Sequence, residues 1–163
     1  MEECVFCKVY NDIKEVAYRN SFFYGRFDRF PVTPGHAEIM PIRHVATLFE
    51  LTDKEWAAMR HSLDDMVDVI QKTNLRNLYE KLSSRPINEI AEQFSQKMLS
   101  HPCLGQTPSA YNFGINQGHQ AGQTIDHLHI HIIPRYEGDV PDPIGGVRNT
   151  IPGMGNYRRL LTD

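Results

Sequence analysis

Apolar positions change their spacing several times along this chain, and each change predicts an element. Between residues 15 and 27 (EVAYRNSFFYGRF) aromatic side chains crowd together and are broken at Arg19-Asn20, which predicts a β-hairpin or two strands joined by a turn. Pro31, Pro34 and Gly35 mark a loop, and His36-Ala37-Glu38-Ile39-Met40 is a short apolar run that ends at Pro41, as a strand does. Thr52 followed by Glu55 forms a capping box. Behind it, Trp56, Met59, Leu63, Met66, Val67 and Ile70 recur at helical spacing, so the main helix should pack one apolar face on a sheet. A second helical pattern (Ile87, Ile90, Ala91, Phe94, Met98) follows Pro86 and reads as a helical insertion within about 74–110. Strand character returns at Tyr111–Asn116. A loop with two glycines spans Gln117–Gln123, and Ile125–Ile133 is the strongest strand pattern of the chain. From Tyr136 onward three prolines and five glycines predict an irregular tail.

Composition narrows the classes. A length of 163 residues with 40% hydrophobic and 23% charged content suits one globular domain able to bury a core. The formal charge of -3 gives no basic surplus to neutralise a run of phosphates, which argues against polymeric nucleic acid but leaves a single nucleotide open. No apolar run reaches the roughly 18 residues that a membrane span needs, and the opening segment MEECVFCKVYNDIKE is polar and acidic; the expectation is a cytoplasmic protein. Three cysteines, with Cys4 and Cys7 close together and Cys103 alone, argue against a disulfide framework and favour a metal or thiol role for the pair.

The chemistry concentrates in Asp126-His127-Leu128-His129-Ile130-His131-Ile132-Ile133. Side chains on a strand alternate between faces, so three imidazoles line one face while Leu128, Ile130 and Ile132 bury the other. Three of the chain's eight histidines in this alternation mark a site. Adjacent imidazoles serve a metal site, a general acid–base pair or a histidine nucleophile, and spacing alone does not choose among them.

The company of the triad extends that reading. The segment Gly122-Gln123-Thr124-Ile125-Asp126-His127-Leu128-His129-Ile130-His131-Ile132-Ile133-Pro134-Arg135 closely resembles the signature of the histidine triad (HIT) superfamily, and the resemblance continues at Asn116, Pro34-Gly35-His36, Ile39-Met40-Pro41 and His44. It covers about residues 4–73 and 111–138. It implies an α+β, HIT-like fold: an antiparallel sheet with one main helix, here carrying the insertion, in a domain over 1–138 followed by an irregular tail over 139–163. It also implies a homodimer with a shared sheet and a nucleotide bound against the triad.

Carried over by position, His129 is the nucleophile toward the α-phosphorus, with His127, His131 and His36 completing the catalytic group. His131, Gln123, Thr124 and Asn116 match positions that contact phosphate oxygens, Asp28 matches the acid that holds ribose hydroxyls, and Phe6 and Phe27 match positions that sandwich the base. The resemblance further implies a structural zinc ion held by Cys4, Cys7, His44 and His127. Three functions stand open: a dinucleoside polyphosphate hydrolase of the diadenosine tri- or tetraphosphate type, a nucleoside phosphoramidase or nucleotidyl transferase, and a non-enzymatic nucleotide-binding module. The absence of a Trp-Pro-Pro-Gly ending and the run Pro134-Arg135-Tyr136-Glu137-Gly138-Asp139 favour the first. The insertion and the tail exceed what a compact relative needs and are expected to cover the substrate cleft or the dimer face. Arg135, Arg148, Arg158 and Arg159 are read as surface cations.

Overall fold

A computed structural model describes residues 4–152, 154–156 and 158. The hairpin forms as expected, with β1 (Tyr18–Arg19) and β2 (Phe23–Phe27) turning at Asn20, whose Oδ1 accepts from the Phe22 and Phe23 N–H groups. With β3 (Ala37–Pro41), β4 (Ala110–Gly114) and β5 (Ile130–Arg135) they build an antiparallel sheet in the order β1-β2-β3-β5-β4. This is the α+β architecture expected of the sequence.

One face of the sheet is covered by the helix Asp53–Lys72, the second in the chain and termed α2 after a short α1 at Val5–Val9. Its capping box is formed: Thr52 Oγ1 accepts from Glu55 N–H, and the Glu55 carboxylate accepts from Thr52 N–H. Met66 and Ile70 are fully buried and join Phe23, Phe27, Ile39, Leu128, Ile130 and Ile132 in the main core. Gly25 faces the helix, and a Cβ there would stand 2.8 Å from Met66 Sδ, so the strand needs glycine to let the helix approach. Trp56 departs from the expected apolar face; it is 53% exposed in the first turn of the helix.

The insertion holds two helices where the sequence reading marks one. The first, α3 (Leu75–Ser84), is capped by Asn74 and buries Leu75 and Tyr79; the second, α4 (Glu89–Leu99), is capped by Asn88 and buries Ala91, Ser95 and Met98. Ile87 and Ile90, counted above toward the apolar face, are exposed, because the helix turns Ala91 and Met98 inward instead. The insertion also reaches the turn before His36. The Tyr79 hydroxyl accepts from Gly35 N–H at 2.7 Å, and the Tyr136 hydroxyl donates to the Pro34 carbonyl at 2.8 Å, so two buried phenols clamp the turn that precedes His36. Gly35 adopts φ +80°, a conformation that favours glycine.

The strongest strand pattern is displaced: the strand starts at Ile130 rather than Ile125 and continues through Pro134 to Arg135. Its pairing with β3 ends at Ile39↔Ile130. Beyond that point the Pro41 carbonyl is taken by the His127 side chain, and His127 N–H turns back to the Ile125 carbonyl. The tail is irregular where described, with one 3-10 turn at Gly146–Thr150.

Candidate active site

The alternation around the triad survives although only its last member lies in a regular strand. Leu128, Ile130 and Ile132 enter the core beneath α2, while His127 and His129 are buried on the other side, near the small cluster of Phe6, Tyr24 and Met40. The register of the sheet sets Arg26 opposite Glu38, Glu38 opposite His131, and His131 opposite Gly114, so these four positions share one face in a row across β2, β3, β5 and β4.

Hydrogen bonds to backbone carbonyls fix two tautomers, since a carbonyl only accepts. His129 Nδ1–H donates to the His127 carbonyl at 2.8 Å, which leaves the lone pair on Nε2. His127 Nε2–H donates to the Pro41 carbonyl at 2.8 Å, which leaves its Nδ1 lone pair facing the cysteines. A third assignment follows from Val32 N–H, which donates to His36 Nδ1 at 3.3 Å. His36 therefore carries its proton on Nε2, 3.1 Å from His131 Nδ1, and His131 in turn presents Nε2–H outward. Burial pushes His36 down to about 4, against the pull of Asp28, and His131 adds to the depression. Burial likewise lowers His131, against Glu38 and Asp28. Both rings are neutral at pH 7, as this chain of N–H donation requires.

Four ligand atoms of Cys4, Cys7, His44 and His127 lie within 4.8 Å of one another. His127 Nδ1 is 3.5 Å from Cys4 Sγ and 3.7 Å from Cys7 Sγ, and His44 Nδ1 is 3.4 Å from Cys7 Sγ. A tetrahedral zinc with bonds of about 2.3 Å to sulfur and about 2.0 Å to nitrogen separates neighbouring S and N ligands by about 3.5 Å. The cluster has that size, and the tautomer of His127 supplies the lone pair a metal needs.

Other positions are distributed less simply. Asp28 is buried, its Oδ1 accepting from Phe30 N–H at 2.8 Å and its Oδ2 lying 3.4 Å from His36 Nδ1 and 3.9 Å from His131 Nδ1. Phe6 meets His129 edge-on at 5.2 Å. Phe27 points from the opposite face of β2 into the main core, so the two phenylalanines do not form the walls of one slot and the expected sandwich is corrected by the pleat of the strand. Gln123 is buried with both ends of its amide engaged, Nε2 on the Ala46 carbonyl and Oε1 on Gly118 N–H, which makes it the staple of its own loop. Thr124 is exposed and Asn116 half-buried. Arg135 pairs with Asp139 at 2.6 Å and so is no free cation; Arg159 lies outside the described residues.

The sequence reading passed over a buried ion pair beside the triad. Arg26 Nε donates to Glu38 Oε1 at 2.6 Å, and its guanidinium sits 4.9 Å above the Phe6 ring. A charged residue recurring within two strands that are otherwise apolar, at Arg26 and Glu38, was the available signal.

The family model described as the HIT domain matches residues 11–138. This chain belongs to the HIT family. Two curated relatives of this HIT protein are enzymes by name: an AP-4-A phosphorylase of Mycobacterium tuberculosis, 27% identical over 90% of this chain, and an asymmetrical bis(5'-nucleosyl)-tetraphosphatase of Schizosaccharomyces pombe, 30% identical over 77% of it. The matches span 60% and 51% of those relatives, so the HIT chain corresponds to just over half of each. Among solved structures, a Zn-bound histidine triad family protein from Mycobacterium smegmatis shares the fold with a TM-score of 0.53 at 22% identity, over 99% of this chain and 98% of its own. No helix among the described residues is long and apolar enough to cross a membrane.

Proposed function

We propose that this HIT protein is a nucleotide hydrolase that attacks the α-phosphorus of a dinucleoside polyphosphate through Nε2 of His129. The observation that carries the reading is the 2.8 Å bond from His129 Nδ1–H to the His127 carbonyl. It fixes the ring with a lone pair on the outer nitrogen, the form in which an imidazole is a nucleophile at neutral pH. Attack forms a phosphorus–nitrogen bond as the phosphorus–oxygen bond to the leaving group breaks, with the electron pair departing on that oxygen. The same carbonyl then faces a ring that carries positive charge, which it stabilises. Water cleaves the phosphorus–nitrogen bond, its oxygen joining phosphorus, its proton going to solvent, and the neutral ring is regenerated.

His131 Nε2–H, the Asn116 amide and the Thr124 hydroxyl are the donors for phosphate oxygens, and His36 holds His131 in the donating tautomer. Gln123 acts through the loop it staples. The nucleoside lies on the Phe6 side of the triad, with Asp28 as acceptor for ribose hydroxyls. Zinc is the metal that Cys4, Cys7, His44 and His127 fit, a closed set of two thiolates and two imidazoles in which the ion is structural. The free edge at β4 is where a second copy would continue the sheet into a homodimer.

The relative named as a phosphorylase favours one second reading, in which inorganic phosphate rather than water takes the nucleotidyl group. Adding phosphate and assaying for nucleoside diphosphate separates the two. The central test is to quench turnover of an α-labelled substrate and map the labelled peptide. Label is expected on His129, and His129→Ala is expected to lose kcat by several orders of magnitude with little change in nucleotide affinity. Label on His127 or His131, or full activity of His129→Ala, overturns the assignment.

A further inference from the structure

Beside the triad lies a cavity of about 620 Å³, most of whose lining has no part in the roles above. His36, His131 and Asn116 form its wall toward the site, and Gly146, Val147 and Thr150 of the tail line it as well. We propose that this cavity is the subsite for the leaving half of the substrate, and that its ligand is the second nucleoside of a dinucleoside polyphosphate. The proposal rests on the nucleotide reading of the preceding section and adds where the departing moiety is held.

Three observations lead there. The first is direction. In the row Arg26–Glu38–His131–Gly114 the β2 end is filled by a buried ion pair stacked on Phe6, whereas the β4 end is open: a Cβ on Gly114 would meet nothing within 4 Å. The cavity is lined by His131 but by neither His129 nor Phe6, so it lies past the point of attack, on the side away from Phe6.

The second is chemistry. Among the described residues no lysine, arginine, aspartate or glutamate lines the cavity. A polyphosphate filling the cavity would demand cations beyond the neutral donors of its His131–Asn116 wall; an uncharged nucleoside does not. Val32, Ile133 and Val147 supply apolar surface for a base, while Asn112 and Thr150 supply polar contacts for its edge or its ribose. The Asn112 Oδ1 is taken by Arg135 Nη1 at 2.8 Å, which leaves the amide nitrogen as the donor it can offer. The third is size, since small-molecule pockets run from about 300 to about 1,000 Å³.

The assignment also gives the tail a purpose. Without residues 146–150 the β4 side of His131 would be a bare sheet face, able to touch a base from one side only.

The experiment compares two substrates that share the attacked nucleotide and differ in what leaves. Diadenosine tetraphosphate has a nucleoside in its leaving group, and adenosine 5′-phosphoramidate releases ammonia. Val147→Trp fills the cavity from a position 58% exposed, and Gly114→Leu fills it from the strand; melting temperatures check that each variant is folded. The ratio of kcat/KM for the dinucleotide to that for the phosphoramidate is expected to fall at least tenfold in either variant, through KM. An unchanged ratio in both folded variants overturns the subsite. The phosphoramidate reports on the attack site alone, so wild-type protein inert toward it and toward the dinucleotide strikes instead at the hydrolase reading.

Discussion

Separating Arg26 from Glu38 should do more damage than removing both. The two side chains are 11% and 3% exposed and meet at 2.6 Å. Burial pulls the guanidinium down, Glu38 foremost and Asp28 and Tyr24 behind it pull it up, and the net displacement is upward, so the arginine stays charged throughout the working range. Replacing Glu38 by Leu or Arg26 by Leu leaves one uncompensated charge in the sheet, at a cost of about 3–5 kcal/mol. For a chain of this length each kcal/mol moves the melting temperature by roughly 2–4 °C, so either single variant should melt on the order of 10 °C lower. The pair Arg26→Leu with Glu38→Leu removes both charges together with the cost of desolvating them, and should lie within about 1 kcal/mol of the wild type. Urea titrations of the four proteins close the cycle. Single variants that lose less than about 1 kcal/mol, or a double variant as unstable as the singles added together, would refute the claim that this pair is a desolvated, mutually dependent unit.

Four further outcomes are expected. Protein purified without chelators should hold about one zinc per chain, and Cys4→Ser should lower both zinc content and melting temperature, structural zinc contributing on the order of 10 kcal/mol of apparent binding energy; unchanged melting with no metal present would remove the zinc assignment. His36 titrates at about 4 in the folded chain, below its ordinary value of 6.5, so the unfolded chain binds the extra proton first, and this residue's contribution to stability, complete above pH 6.5, is lost as pH falls toward 4; urea midpoints of wild type and His36→Asn across that window should converge at the acid end. Tyr79→Phe orphans the Gly35 N–H, which should destabilise by about 1–3 kcal/mol and lower kcat through His36, a loss that an unchanged kcat would contradict. Thr52→Ala breaks the capping box and should lower stability by about 1 kcal/mol with activity unaffected, as read by thermal melting.

How far the sequence reached depended on whether a feature announces itself locally. The α2 cap and face, the hairpin, β3 and β4 are short-range patterns, and the triad is the densest of them. Helix α3 also had local signals, Asn74 before Leu75, Leu78, Tyr79 and Leu82, which the polar stretch around them obscured. The start of β5 was not local at all: Pro41, 86 residues away, captures the His127 side chain and ends the ladder. Phe27 failed in the base site for a similar reason, because the motif gives its position and only the pleat gives its face. The pairing of Arg26 with Glu38 needed the register of β2 against β3, and the tail's approach to His131 needed the whole fold.

The clamp on the Pro34–Gly35 turn bears on how the molecule assembles. Its two hydroxyls come from residues 44 and 102 positions further along the chain. Tyr79 acts only once the insertion has docked and Tyr136 only once the chain beyond β5 has, and closing such loops is an entropic demand met late. The turn that carries His36 should therefore be ordered after the hairpin and α2. In native-state hydrogen exchange the Gly35 amide should open together with α3 rather than with β2, its neighbour in sequence, so that catalytic competence and insertion docking are gained and lost as one cooperative unit.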